Sequence, residues 1–270
     1  MGSLTFDLHM PLMGHALSYR SATLVPWACL AMVALAACGP ARSEGSGDAT
    51  ASTTPTASSK PFEGMTPRQI HTRATAETGA AIFKKVRGRS GVEGNTGSLE
   101  LAFARTDCAG SITLSGMGML QVHATKKVVY TKSDADTWRN LLGESDAEND
   151  VLVRRLAGQW VKTSATSEYA KASAFGCELH DPAFLFEEPK APGISRGGAT
   201  TVGGQPAITL TYPHRDGGTV TEYVATQGRP YLLRLTKTGP EQADITYYDF
   251  ETTNPLPPPS AGEVVAIGGS

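Results

Sequence analysis

The rhythm of apolar and polar positions divides this chain into regions of different kinds. Residues 22–37 form a near-continuous apolar run. Its length suits a signal-peptide core and falls short of the ~20 residues that a membrane-spanning helix needs. Pro26, near its start, also argues against one unbroken span. Residues 39–60 are Gly, Ser, Thr, Ala and Pro with almost nothing to bury, which predicts a disordered tether. As a flexible coil of roughly 22 residues it would reach roughly 25 Å.

A folded region follows. Thr66, Pro67 and Gln69 have the spacing of an N-cap, a first-turn proline and a capping-box glutamine, and Ile70, Ala74, Ala81 and Ile82 mark a modest helical stripe. Period-two alternation then takes over. Leu99, Leu101 and Phe103 alternate with smaller or polar residues, as do Ile112 and Leu114, then Leu120 and Val122, and Val128-Val129-Tyr130 makes a further strand. Gly116 and Gly118 suggest bends in a curved sheet. Short helices are predicted over 134–142, 149–156 and 167–175, with Trp138, Leu152 and Leu156 on their apolar faces and a strand at Trp160-Val161-Lys162 between the last two. Residues 181–186 read as a short apolar, helical stretch. The last third reads as a meander with strands at 194–203, 206–212, 219–226, 230–237 and 243–251. Gly203-Gly204, Asp216-Gly217-Gly218 and Thr238-Gly239-Pro240 supply its hairpin turns. A proline-rich tail, residues 254–259, leads to a final apolar piece at 264–267.

The apolar run closes on Leu35-Ala36-Ala37-Cys38. This resembles the lipobox of bacterial lipoprotein signal peptides. In those proteins a diacylglyceryl group is attached to the cysteine thiol and the chain is cut just before it. The resemblance implies a signal peptide over 1–37, lipidation at Cys38 and a location on the extracytoplasmic face of the cell membrane. Two acyl chains hold a protein stably where one does so marginally. Arg20 is the one clear positive charge ahead of the run and Asp7 is out of place there, which points to a start at Met10 or Met13.

Cleavage before Cys38 removes one basic and one acidic residue, so the net charge stays at −2. Nothing here resembles the basic footprint of a nucleic-acid binder. Apolar residues make up 40% of the chain, enough for one domain with a sizeable core over residues 61–268. Of the four cysteines, Cys29 leaves with the signal and Cys38 carries lipid. Cys108 and Cys177 remain as an even pair in an oxidising compartment. Their disulfide would close a loop of about 70 residues, for which chain entropy gives roughly 4 kcal/mol. Two buried free thiols are the alternative.

Several local patterns resemble the LolA/LppX-like family of exported lipoprotein and lipid carriers, especially the LppX/LprG-type lipoproteins of Gram-positive actinobacteria. They are Asp107-Cys108-Ala109-Gly110-Ser111-Ile112, then Val128-Val129-Tyr130-Thr131-Lys132 followed by Trp138, and Leu156-Ala157-Gly158-Gln159-Trp160-Val161. Tyr223-Val224-Ala225 leading into Gly228-Arg229-Pro230-Tyr231-Leu232-Leu233-Arg234 is the most specific. The resemblance runs over residues 62–268. It implies an α+β fold, a strongly curved antiparallel β half-barrel with helices packed in its concave face and an apolar cavity between. Leu99, Leu101, Phe103, Ile112, Leu114, Trp138 and Trp160 are the expected cavity-lining residues. Trp138 and Trp160 also read as core anchors. The implied role is non-enzymatic: a membrane-anchored protein that holds or carries a lipid or acyl amphiphile, without a cofactor. The alternative is an extracytoplasmic sensor or interaction module that regulates a membrane signalling protein.

Chemical motifs are sparse. Gly193-Ile194-Ser195-Arg196-Gly197 matches the hydrolase nucleophile elbow, but hairpin residues follow where that elbow requires a helix. Past residue 37 the histidines are His71, His123, His180 and His214, and none are paired at zinc-site spacing. His180-Asp181 reads as a surface or cap pair. Glu187-Glu188 and the group Glu144, Asp146, Glu148 and Asp150 read as solvated faces. Replacing Cys38 by Ala is expected to abolish lipid attachment and release the chain from the membrane. Detection by mass spectrometry of an unmodified, freely secreted mature chain from the unaltered sequence would refute the lipidation reading.

Overall fold

The structure is a computed structural model that describes residues 62–92, 95–105, 107–142, 147–184, 193–252 and 255–266. The signal segment, Cys38, the tether, Glu187-Glu188, Glu144 and Asp146 lie outside the described residues. No helix among the described residues is long and apolar enough to cross a membrane.

The chain enters through α1 (Pro67–Ala80), which then turns into β1 (Phe83–Val92). Four further strands follow in hairpin succession, β2 (Asn95–Ala104), β3 (Asp107–Leu114), β4 (Gly118–Ala124) and β5 (Val128–Lys132). Helices α2 (Ala135–Leu142) and α3 (Ala147–Leu156) separate β5 from β6 (Trp160–Ser164). Then come α4 (Glu168–Ser173) and two 3₁₀ turns, Phe175–His180 and Pro182–Phe184. The second half is a meander of β7 (Ser195–Val202), β8 (Gln205–Pro213), β9 (Thr219–Ala225), β10 (Leu232–Thr238) and β11 (Glu241–Tyr248), and the tail adds β12 (Val264–Ala266).

The twelve strands among the described residues join one open sheet in the order β12-β6-β5-β4-β3-β2-β1-β11-β10-β9-β8-β7. Strand β1 therefore sits in the middle and pairs with β2 on one side and β11 on the other. Its sequence hides this. Lys84, Lys85, Arg87 and Arg89 interrupt the apolar alternation, so periodicity predicts no strand there. Lys85 and Arg87 point outward over the Tyr248 ring, at 5.9 and 5.2 Å from its centroid. The other difference from expectation is at the tail, where β12 pairs parallel to β6, making the sheet mixed.

One face of the sheet carries continuous inward rows. Tyr247, Val86, Leu101, Gly110, Val122, Thr131 and Val161 are neighbours across successive strands. The side chains of this row are buried, each large apolar one contributing about 1.5–3 kcal/mol. Gly110 stands in the row with φ +151°, and a Cβ there would lie 2.1 Å from the Glu100 carbonyl oxygen. Only glycine lets β2 and β3 approach so closely. The helices cover this same face. Trp138 packs with Val153, Leu156 and Val161, and Ile70 and Ala74 pack on Ile208, Leu210 and Val224. The fold is thus α+β, a curved sheet with its helices in the concave side.

The 175–180 turn lies directly on that face, with Gly176 against Ile112 and Leu101. A disulfide between Cys108 and Cys177, with Cα atoms 5.7 Å apart, ties the turn to β3 across 69 residues of sequence. Removing both thiols, Cys108→Ser with Cys177→Ser, is expected to cost ~2–5 kcal/mol. Chemical denaturation read by tryptophan fluorescence would measure it, and an unchanged midpoint would rule the bridge out as a stabilising element.

Candidate functional site

The site starts with how α1 is seated. Thr66 Oγ1 accepts from Gln69 N at 3.3 Å and Gln69 Oε1 accepts from Thr66 N at 2.8 Å, so the capping box fixes the helix start. Ile70, Ala74 and Thr78, four residues apart, form the buried stripe. At the far end Thr78 Oγ1 accepts from Leu232 N at 2.8 Å, where the β9–β10 register slips between Leu232 and Arg234. The buried Lys84 ammonium donates to Thr78 O at 2.6 Å. These contacts leave His71, Thr72, Thr75, Ala76 and Gly79 along one flank of α1.

Opposite that flank stand His180, Asp181, Pro182 and Ala183, held by the disulfide-anchored turn. The two walls and a floor of Tyr212, Glu222, Leu232 and Leu235 enclose a half-open cleft of about 570 Å³. The two walls come close at Gly79, where a Cβ would lie 3.8 Å from Asp181 Oδ1.

One end of the floor is polar and tightly bonded. Glu222 is 2% exposed. Its Oε1 accepts from the Tyr212 hydroxyl at 2.8 Å. His71 Nδ1 lies 2.9 Å from both carboxylate oxygens, so toward an ionised carboxylate the imidazole is the donor. The His71 and Tyr212 rings meet edge to face at 5.9 Å. Burial, then the Glu222 charge, pushes the Tyr212 phenol far above its ordinary value. Burial likewise raises the Tyr247 phenol, with the charges of Asp181 and Glu222 adding to it. Burial lowers Lys84 to about 8, against the opposing pull of Asp181 and Glu251.

The residues expected from sequence to line a cavity fall elsewhere. Leu101, Phe103 and Ile112 are buried with Cys108 in the main core, and Leu99 and Leu114 pack half-buried against it. Trp138 is buried beside Tyr169, ring centroids 6.0 Å apart. Trp160 is half-buried under Lys132, 5.8 Å from its ring, and borders a shallow groove with His123, Pro257 and Pro259. The cleft draws instead on His71, Tyr212 and Glu222. The usable signal for Glu222 was Val220-Thr221-Glu222-Tyr223-Val224, where period two sets the acid between two inward valines.

The other motifs resolve into structure. Ser195 opens β7, exposed and paired with Thr211, with no helix after it. His180 Nδ1 lies 3.2 Å from Cys177 O, and Asp181 Oδ1 accepts from Ala183 N at 2.9 Å, closing a turn. His123 Nε2 meets Leu256 O at 3.1 Å, and His214 Nδ1 meets Asp216 Oδ1 at 2.8 Å. Among the described residues no group of three or more His, Cys, Asp or Glu is placed to hold a metal ion.

No protein-family model and no curated protein sequence matches the chain. Solved structures do. Lipoprotein LppX of Mycobacterium tuberculosis is 15% identical with a TM-score of 0.43, over 70% of this chain and 97% of LppX. LprF of Mycobacterium bovis is 11% identical with a TM-score of 0.45, over 75% of this chain and 100% of LprF. A LolA superfamily protein of Nitrosomonas europaea is 8% identical with a TM-score of 0.26, over 72% and 96%. The chain is similar to these proteins in fold.

Lys84 gives the site a pH signature. Its proton is held more weakly in the folded chain, at about 8, than at the ordinary 10.5. Below both values the burial penalty is felt in full. Between them the unfolded chain binds more protons, so stability rises with pH. Wild type is expected to gain melting temperature relative to Lys84→Met between pH 8 and pH 10. A gap between the two proteins that does not change with pH would contradict this placement of Lys84.

Proposed function

We propose that this chain is a lipid-anchored extracytoplasmic protein that takes an amphiphile into the cleft between α1 and residues 180–183, and that it binds rather than catalyses. The observation that carries the reading is the cleft itself. Its volume of about 570 Å³ lies in the ~300–1,000 Å³ range of ligand pockets. Leu232 and Leu235 give it an apolar floor, while Glu222, His71 and Tyr212 give it one polar end. An apolar tail and a polar head match that division.

The sequence adds two supports. The lipobox pattern at Cys38 would hold the chain at a bilayer. Helix α1, one wall of the cleft, follows directly on the tether in the chain. The residues with catalytic patterns in sequence do not gather in the cleft as a reacting set: Ser195 lies outside it, and His180 and Asp181 are engaged in turn bonds.

The test is extraction and mass spectrometry of lipid from the purified full chain. Wild type is expected to carry lipid, and Thr75→Trp, which fills the cleft from α1, to retain at least tenfold less with melting unchanged within a few degrees. Equal lipid in both proteins, or none in wild type, would overturn the proposal. Recovery of a membrane protein with a lipid-free chain would favour the sensor reading instead.

A further inference from the structure

Glu222 is an unusual resident of its row. Across the concave face, Leu210, Glu222, Leu235, Ile245, Gly88, Leu99, Ile112 and Leu120 are successive neighbours. A carboxylate stands there between two leucines that are fully buried. Desolvating such a charge is costly unless donors surround it. An apolar residue would pack this position without that cost.

Among the described residues two donors reach the carboxylate, the Tyr212 hydroxyl and His71 Nδ1. The histidine donor is shared between both oxygens. A carboxylate accepts at about four sites, so acceptor capacity is left over on a group that lines the cleft. A second group fits the same picture. The Tyr247 hydroxyl is buried and has no hydrogen-bond partner among the described residues. Burial raises its phenol first, and then Asp181 and Glu222, residues of two different borders of the cleft, raise it further. It lies within electrostatic reach of both.

The charges facing the cleft are also lopsided. Glu222 rises from the floor and Asp181 projects from the opposite wall. The cationic candidates are His71, already on Glu222, and His180, whose Nδ1 lies on Cys177 O. Lys84 is committed to the Thr78 carbonyl and does not border the cleft. Among the described residues, an anionic head would meet two carboxylates and no lysine or arginine lining the cleft. A hydroxyl would find a carboxylate ready to accept.

We infer that Glu222, positioned by His71 and Tyr212, makes the cleft select an amphiphile whose head donates hydrogen bonds through hydroxyl groups and carries no negative charge. Glu222 is the specificity-determining residue, and Asp181 reinforces it from the far wall. The inference rests on the cleft being the amphiphile site proposed above.

The experiment is competition between monoolein and oleate, which share one acyl chain and differ in the head. Both are offered to the delipidated full chain and the retained species are counted by native mass spectrometry. Wild type is expected to prefer monoolein at least tenfold. In Glu222→Gln the amide keeps the shape but loses the charge, so oleate retention should rise and the monoolein-to-oleate ratio should fall at least tenfold. Asp181→Asn, on an exposed turn, should move the ratio in the same direction by about threefold, which keeps the test open if Glu222→Gln does not fold. Equal retention of both probes by wild type, or an unchanged ratio in both variants, would overturn the head selectivity while leaving the lipid-binding reading intact. Retention of neither probe by wild type would overturn both.

Discussion

The antiparallel pairing of β1 with β11 holds the two halves of the sheet together. Residues 85–92 run against residues 248–241 in unbroken register. Without that ladder β1–β6 and β7–β11 would be separate sheets, each with a wet apolar face. With it, one concave surface runs from β8 to β6, and helices have somewhere to pack. The partners are more than 140 residues apart in sequence. Closing such a separation costs chain entropy before the contacts repay it. The early hairpins β1–β2, β2–β3 and β3–β4 and the late ones of the meander are local, and the central seam depends on both.

The cleft is a consequence of how that surface is covered. Helix α1 seals the β8–β10 side and the disulfide-held turn seals the β2–β3 side. The two covers come close at Gly79 and Asp181, and both line the cleft. The polar cluster at its floor runs against the economy of the rest of the core. Glu222 sets a carboxyl group in an apolar row, and the phenol and imidazole beside it are committed to that group. A stability-driven core would have replaced the three together, since removing any one leaves the others poorly satisfied.

Much of the fold was legible because its strands alternate cleanly. Ile112 and Leu114, Val220 and Val224, and the glycine turns of the meander all announce themselves. Thr66, Pro67 and Gln69 gave α1 its first turn. Strand β1 was not legible, because Lys84 buries its stem on the inner face while Lys85 and Arg87 lie outside. Charge density there masks a central strand. The cleft was less legible still. Leu101, Phe103 and Ile112 are apolar for the reason expected, but the 175–180 turn fills the space above them. Glu222 gains its meaning from partners 151 and 10 residues away, and no local pattern encodes a pairing of that span. His71 on its own looked like any solitary helix histidine.

The Cys108–Cys177 bridge links the cleft to the chemistry of its surroundings. The turn it fastens leads straight into residues 180–183, one whole wall of the cleft. In a reducing compartment the two thiols stay apart and that wall is held by packing alone. In an oxidising one it is fastened to β3. Oxidation state therefore sets how firmly that wall is held. The sheet needs only its own strand pairing, whereas the full rigidity of this cleft wall needs two electrons removed from a pair of thiols.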